Sequence, residues 1–192
     1  MKITQKIVFT SLVAGLALCA PALRSASADS MGTVMVGGKD MLPAKDIVDN
    51  AVNSADHTTL VAAVKAADLV ATLKGAGPFT VFAPTNAAFA ALPAGTVDTL
   101  LEPENKGTLT KVLTYHVVAG RLDFDAIAKA IQSGGGMAKV KTVSGGTLTA
   151  RMNGPHNLTV TDEKGNTACV STYDVYQKNG VIHVIDKVLM PK

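Results

Sequence analysis

Residues able to do chemistry are present in this sequence, but their spacing does not assemble a reaction centre. The four histidines, His57, His116, His156 and His183, form neither an HExxH pair nor a Cys-His cluster, so no metal ligand set is expected. The triple glycine Gly134 to Gly136 lacks a following Lys-Ser/Thr pair and ends a helical pattern instead of opening one, which reads as a loop and not a phosphate cradle. No GxSxG elbow positions a serine nucleophile. Cys169 lies between Ala168 and Val170 in strand-like sequence with no base beside it, so it is expected to be a buried, inert thiol. The expectation is a protein without enzymatic activity and without a cofactor.

Three other segments have compositions unusual for plain core. Thr80 to Phe89, TVFAPTNAAF, joins a strand-like run to a helix through Pro84-Thr85-Asn86, and the Thr85 hydroxyl suits a helix cap. Tyr115-His116 follows the stripe Leu109, Val112, Leu113. If that helix runs on, His116 is buried, its pKa is depressed, and it needs an internal partner. Asn179 to Pro191, NGVIHVIDKVLMP, sets a turn at Asn179-Gly180 before a strand holding His183, with Asp186 at its end. Just before it, Tyr173, Asp174 and Tyr176 put aromatic rings beside a carboxylate, a composition suited to a contact patch.

The elements that must carry these residues change character along the chain. Residues 1–28 show a lysine-bearing start, an apolar run and Ala26-Ser27-Ala28, the pattern of a cleaved export signal with the mature chain starting at Asp29. Three of the 18 basic residues, Lys2, Lys6 and Arg24, fall in it, which leaves 15 basic against 15 acidic. A near-neutral chain with no Trp lacks the cationic excess and stacking rings of a nucleic-acid binder. No transmembrane segment is expected after cleavage. Residues 29–43, rich in Gly and Met, read as a flexible lead-in, and the domain is expected over 44–192.

Within that domain, helical spacing runs through Ile47 to Ala55, Leu60 to Ala67, Lys106 to Leu113 and, after Asp123, Phe124 to Ile131. Alternating strand patterns with turn clusters follow from Leu148 onward, and Val181 to Ile185 is apolar enough for a central strand covered on both faces. Helices gather in the first half and strands in the second, which predicts a segregated α+β fold.

The three segments together resemble the fasciclin domain, whose blocks are close to TxFAPTNxAF, Tyr-His and NGVIHVID, in that order, over roughly Ala44 to Pro191. The resemblance implies an α+β fasciclin-like fold, a β-sandwich or wedge with helices packed beside it, of the single-domain exported bacterial type. It gives Thr80, Phe82, Pro84, Thr85, Asn86, Phe89, Asn179, Gly180, His183 and Asp186 as the structural motif. It also implies an adhesion module, secreted, periplasmic or at the cell surface, that binds a surface or matrix protein or glycan. In animal members the Tyr-His region and an Asp-Ile pair serve integrin contact. Tyr115 and His116 match the first, while Asp174 and Val175 stand where the second would, with Tyr173 and Tyr176 flanking. The alternative implied by resemblance is a carrier of an apolar ligand such as a carotenoid.

Overall fold

A computed structural model describes residues 32–192, so the expected export signal lies outside the described residues. The segment expected to be a flexible lead-in is, from Val34 on, a β-hairpin. Gly37 and Gly38, with φ of +59° and +70°, supply the two left-handed positions of a two-residue turn. They join β1 (Val34–Val36) to β2 (Lys39–Met41) in antiparallel register. Val36 and Met41 point into the core, and this is what holds the hairpin down. The buried amide of Asn50 fixes its exit: it accepts from Leu42 N–H (3.1 Å), donates to the Leu42 carbonyl (2.8 Å) and pairs with Gln177.

Three short helices follow: α1 (Ile47–Asn53), α2 (Thr58–Ala66) and α3 (Val70–Lys74), with a 3-10 turn at Ala55–His57 before α2. Asp46 caps α1 by accepting from Asp49 N–H. The central part comprises β3 (Phe79–Pro84), α4 (Asn86–Ala90), α5 (Thr96–Leu101), α6 (Lys106–Tyr115) and β4 (Val117–Ala119). Thr85 caps α4 through Ala88 N–H, as its place before Asn86 predicts. Asp123 likewise caps α7 (Phe124–Ser133). The strands β5 (Ala138–Lys141), β6 (Thr147–Met152), β7 (Leu158–Thr161), β8 (Thr167–Gln177) and β9 (Gly180–Ile185) complete the chain.

Seven strands form one sheet in the order β4-β3-β9-β8-β7-β6-β5, with only β3 and β9 parallel. The sheet curls. Val118 pairs with Thr142 beyond the end of β5, so the two edges meet and the sheet becomes a wedge. β8 spans both halves of the wedge and absorbs the bend through register shifts between Val170 and Thr172 and between Thr172 and Val175.

Strand periodicity sorts side chains between two cores. On β3, Val81 and Ala83 face the helical layer while Phe82 faces the wedge interior; on β9, Ile182 and Val184 face the first and Ile185 the second. All six β9 residues are buried, as its unbroken apolar run predicts. Cys169 corrects the sequence reading. Its neighbour Ala168 is buried, and the period of two therefore turns Cys169 outward, where it is exposed.

Candidate functional site

The three motif segments meet at the junction of the two cores. Tyr115 ends α6 fully buried, its hydroxyl donating to the Thr147 carbonyl (3.0 Å) and accepting from Glu163 N–H (3.1 Å). Burial pushes its pKa up to about 12. His116 follows at 3% exposure. Its Nε2 accepts from Leu189 N–H (3.0 Å), which makes Nδ1 the protonated nitrogen, donating to the Val112 carbonyl (2.8 Å). Burial holds His116 down at about 4, so the ring is neutral at physiological pH. Neither side chain is presented to solvent, and the pair ties α6 to the hairpin loops and the C-terminal strap.

The first and last blocks brace each other across the parallel pair. Thr80 Oγ1 donates to the Gly120 carbonyl (2.7 Å) and accepts from Leu122 N–H (2.8 Å), fixing the loop after β4. Phe82 stacks on His183 with centroids 5.6 Å apart. Pro84 and Phe89 are buried. Asn86 accepts from Thr59 N–H (3.0 Å) and donates to the Ala55 carbonyl (2.9 Å), holding the start of α2. Asn179 accepts from Ile47 N–H (3.1 Å) and donates to the Leu73 carbonyl (2.7 Å), joining α1 and α3 to the β8–β9 turn. Gly180 has no room for a side chain, since a Cβ there would lie 2.1 Å from the Phe79 carbonyl oxygen. Asp186 accepts from Cys169 N–H (2.7 Å). His183 Nε2 lies 2.8 Å from the Leu122 carbonyl, while its Nδ1 has no partner. Burial lowers its pKa.

The residues Tyr173 to Tyr176 occupy the irregular part of β8. Asp174 adopts φ of +57°, and its carboxylate accepts from Phe124 N–H at 2.7 Å, at the start of α7. The carboxylate that the sequence places beside these aromatic rings is thus tethered to the fold. Partial burial raises its pKa against the opposing pull of that N–H. Val175 is core, 1% exposed, and offers no contact surface. Tyr173 and Tyr176 remain half-buried. Tyr173 stacks on Phe124 (4.5 Å), and the Arg121 guanidinium sits 5.5 Å above the Tyr176 ring.

Beside that ring opens a polar cleft of about 710 Å³ lined by Lys74, Gly77, Pro78, Arg121, Lys178 and Asn179. Lys74 is neutralised by Asp46 (3.3 Å) and Asp49 (2.5 Å). Arg121 and Lys178 make no salt bridge among the described residues, although Arg121 also donates to the Gln177 carbonyl (3.1 Å). Sequence reasoning missed both cations. They lie in separate loops with no shared motif, and the pairing of β4 with β3 and of β3 with β9 brings them together.

This curled mixed sheet with its helical layer, braced by the three motif blocks, defines a class. The family profile described as Fasciclin domain matches residues 55–191, and the chain belongs to that family. It is 45% identical to protein sll1483 of Synechocystis sp. over 192 residues, covering 100% of this chain and 99% of that protein. It is 36% identical to the immunogenic protein MPB70 of Mycobacterium bovis over 86% of this chain and 78% of that one. The transforming growth factor-beta-induced protein ig-h3 of Sus scrofa is 38% identical over 69% of this chain, which corresponds to 17% of its own length. A FAS1 domain pair from the insect cell adhesion molecule fasciclin I aligns with a TM-score of 0.48 and 26% identity, covering 67% of this chain and 40% of that chain.

Proposed function

We propose that the protein is an exported, non-catalytic interaction module that binds a cell-surface or matrix component, protein or glycan. The observation that carries this reading is the ridge of Tyr176 and Arg121 at the edge of the cleft that Arg121 and Lys178 line, with Tyr173 stacked on Phe124 in the same stretch of β8. Half-exposed aromatic rings next to arginine are the side chains that dominate recognition surfaces, because they bury large area with little loss of rotamer freedom. The motif residues Tyr115, His116 and Val175 are buried, and on this reading they hold the fold and do not touch a partner. The export pattern of residues 1–28 agrees with a site of action outside the cytoplasm. So does the similarity to the cell surface glycolipoprotein MPB83 of Mycobacterium bovis, 39% identical over 65% of this chain and 48% of that protein. Among the described residues, no helix is long and apolar enough to cross a membrane.

The test is attachment of the purified protein to envelope or matrix fractions. Arg121→Ala and Lys178→Ala each weaken it several-fold, and Lys178→Ala shifts the unfolding free energy by no more than about 0.5 kcal/mol. Attachment unchanged in both variants removes this ridge as the recognition surface. The carotenoid-carrier alternative has less support: the apolar chamber in the fold is about 100 Å³, less than the roughly 150 Å³ that takes up one benzene.

A further inference from the structure

The cleft beside Tyr176 presents a guanidinium that is already held in place. One Arg121 N–H donates to the Gln177 carbonyl (3.1 Å), and the guanidinium carbon lies 5.5 Å from the centre of the Tyr176 ring. These two contacts fix the planar group, so less rotamer freedom is lost when it binds. Its other N–H groups have no partner among the described residues, and no carboxylate pairs with it there. Lys178 stands on the anchored β8–β9 turn, where its own backbone N–H donates to the Lys45 carbonyl (2.9 Å). The third cation of the lining, Lys74, is held by Asp46 and Asp49, so Arg121 and Lys178 supply the free positive charge of the cleft.

Most of the remaining lining is main chain. Gly75, Ala76, Gly77, Pro78 and Gly180 bring little or no side chain. Gly77 and Gly180 have no room for one, because a Cβ on Gly77 would collide with the Asn179 carbonyl and one on Gly180 with that of Phe79. The cleft therefore stays open at about 710 Å³, a volume within the range of small-ligand sites.

These features choose between partners. A protein hot spot needs a pocket for an aromatic or aliphatic anchor, and glycine, alanine and proline beside charged side chains provide none. An extended acidic peptide that adds to a sheet needs an open strand edge, but β3 and β9 are both interior strands. A sugar acid needs neither. Its carboxylate matches the guanidinium fork, and its hydroxyls can exchange hydrogen bonds with peptide groups.

We propose that the cleft recognises a uronate unit of an acidic polysaccharide, with the sugar carboxylate in the Arg121 fork, Lys178 beside it and the ring hydroxyls against the main chain. The proposal rests on the reading of this cleft as the recognition surface and adds the class of partner.

The full chain purified from an exporting host is titrated with two uronate polymers, polygalacturonate and alginate, at about 150 mM salt to screen loose surface attraction. Three controls accompany them: methyl-esterified pectin keeps the galacturonate sugars without the charge, polyglutamate carries carboxylates on a peptide, and dextran sulfate is a glycan polyanion without carboxylates. At least one uronate polymer binds, and each control binds at least about tenfold more weakly. Arg121→Lys, which keeps the charge and loses the fork, weakens uronate binding about tenfold, and Lys178→Ala, at an exposed position, weakens it about threefold. Should Arg121→Lys not fold, Lys178→Ala carries the test. Polyglutamate or dextran sulfate binding as tightly as the uronates overturns the proposal, in favour of an acidic peptide or of charge alone. Uronate binding unchanged in the variants, or no uronate binding, overturns it too. In the last case, envelope attachment still lost in Arg121→Ala leaves the cleft as the recognition surface for another partner, whereas attachment indifferent to Arg121 and Lys178 removes the surface reading as well.

Discussion

At the scale of single residues, His116 and Asp174 show how a motif side chain is spent on holding the fold. His116→Ala leaves Leu189 N–H and the Val112 carbonyl unpaired in a buried site, so the expected loss is about 2 to 4 kcal/mol. Equilibrium urea unfolding measures it; a variant as stable as wild type means the ring does not make these bonds. Asp174 differs because two terms act together. Alanine at φ of +57° costs about 1 to 2 kcal/mol, and the bond to Phe124 N–H is lost as well. Asp174→Ala is therefore expected to destabilise by about 2 to 3 kcal/mol. Asp174→Asn should cost well under half of that, since asparagine tolerates the left-handed region and keeps an acceptor. Equal losses for the two variants would show that the negative charge matters and the backbone conformation does not.

At the scale of elements, the hairpin of β1 and β2 makes the sharpest contrast between neighbouring glycines. Gly37 and Gly38 both have positive φ, but a Cβ on Gly38 meets nothing within 4 Å, whereas one on Gly37 meets Ser54 Oγ and the backbone nitrogens of Ala55 and Asp56 inside 3 Å. Gly38→Ala should cost about 1 kcal/mol of left-handed strain. Gly37→Ala should cost at least about 1 kcal/mol more and detach the hairpin, visible as fast proteolysis between residues 36 and 44 in native buffer. Comparable stability and protease resistance in both variants would mean that the hairpin does not rest on the Ser54 turn. The same hairpin marks where sequence reasoning stopped. Helices with two full turns of apolar spacing, such as Phe124–Ser133, and strands bounded by turn clusters, such as Leu158–Thr161, were legible because their period repeats. Three-residue strands such as Val34–Val36 and Val117–Ala119, and the five-residue helix Val70–Lys74, are too short to show a period and exist only through tertiary pairing. The motif residues were legible one by one, and the burial of His116 followed from its helical stripe; what the sequence left open was the bend of β8, where Val175 and Asp174 are adjacent, yet one is core and the other accepts from Phe124 N–H across the fold.

At the scale of the whole molecule, three neutral imidazoles packed into the interior make acid the natural denaturant. His57, His116 and His183 are each at most 3% exposed, and burial lowers the pKa of each below the ordinary histidine value. Between the folded and unfolded pKa values the unfolded chain binds more protons than the native one, so stability is intact above about pH 6.5 and falls as the pH drops below it. For His116 the native value of about 4 puts the loss between pH 6.5 and 4, and a shift of this size corresponds to about 3 kcal/mol. His57 and His183 add to it in the same direction. Asp174, whose pKa is raised, opposes them, but as a single half-buried carboxyl it offsets only part. The urea midpoint should accordingly hold steady from pH 8 to 7 and decline steeply from 6.5 to 4.5, with little response to added salt because the groups are buried. His116→Gln should start from a lower midpoint and follow a shallower slope over the same range. A wild-type midpoint that stays level down to pH 5 would mean that the imidazoles reach solvent and titrate normally, which the paired nitrogens of His116 and the closed packing around β9 do not permit.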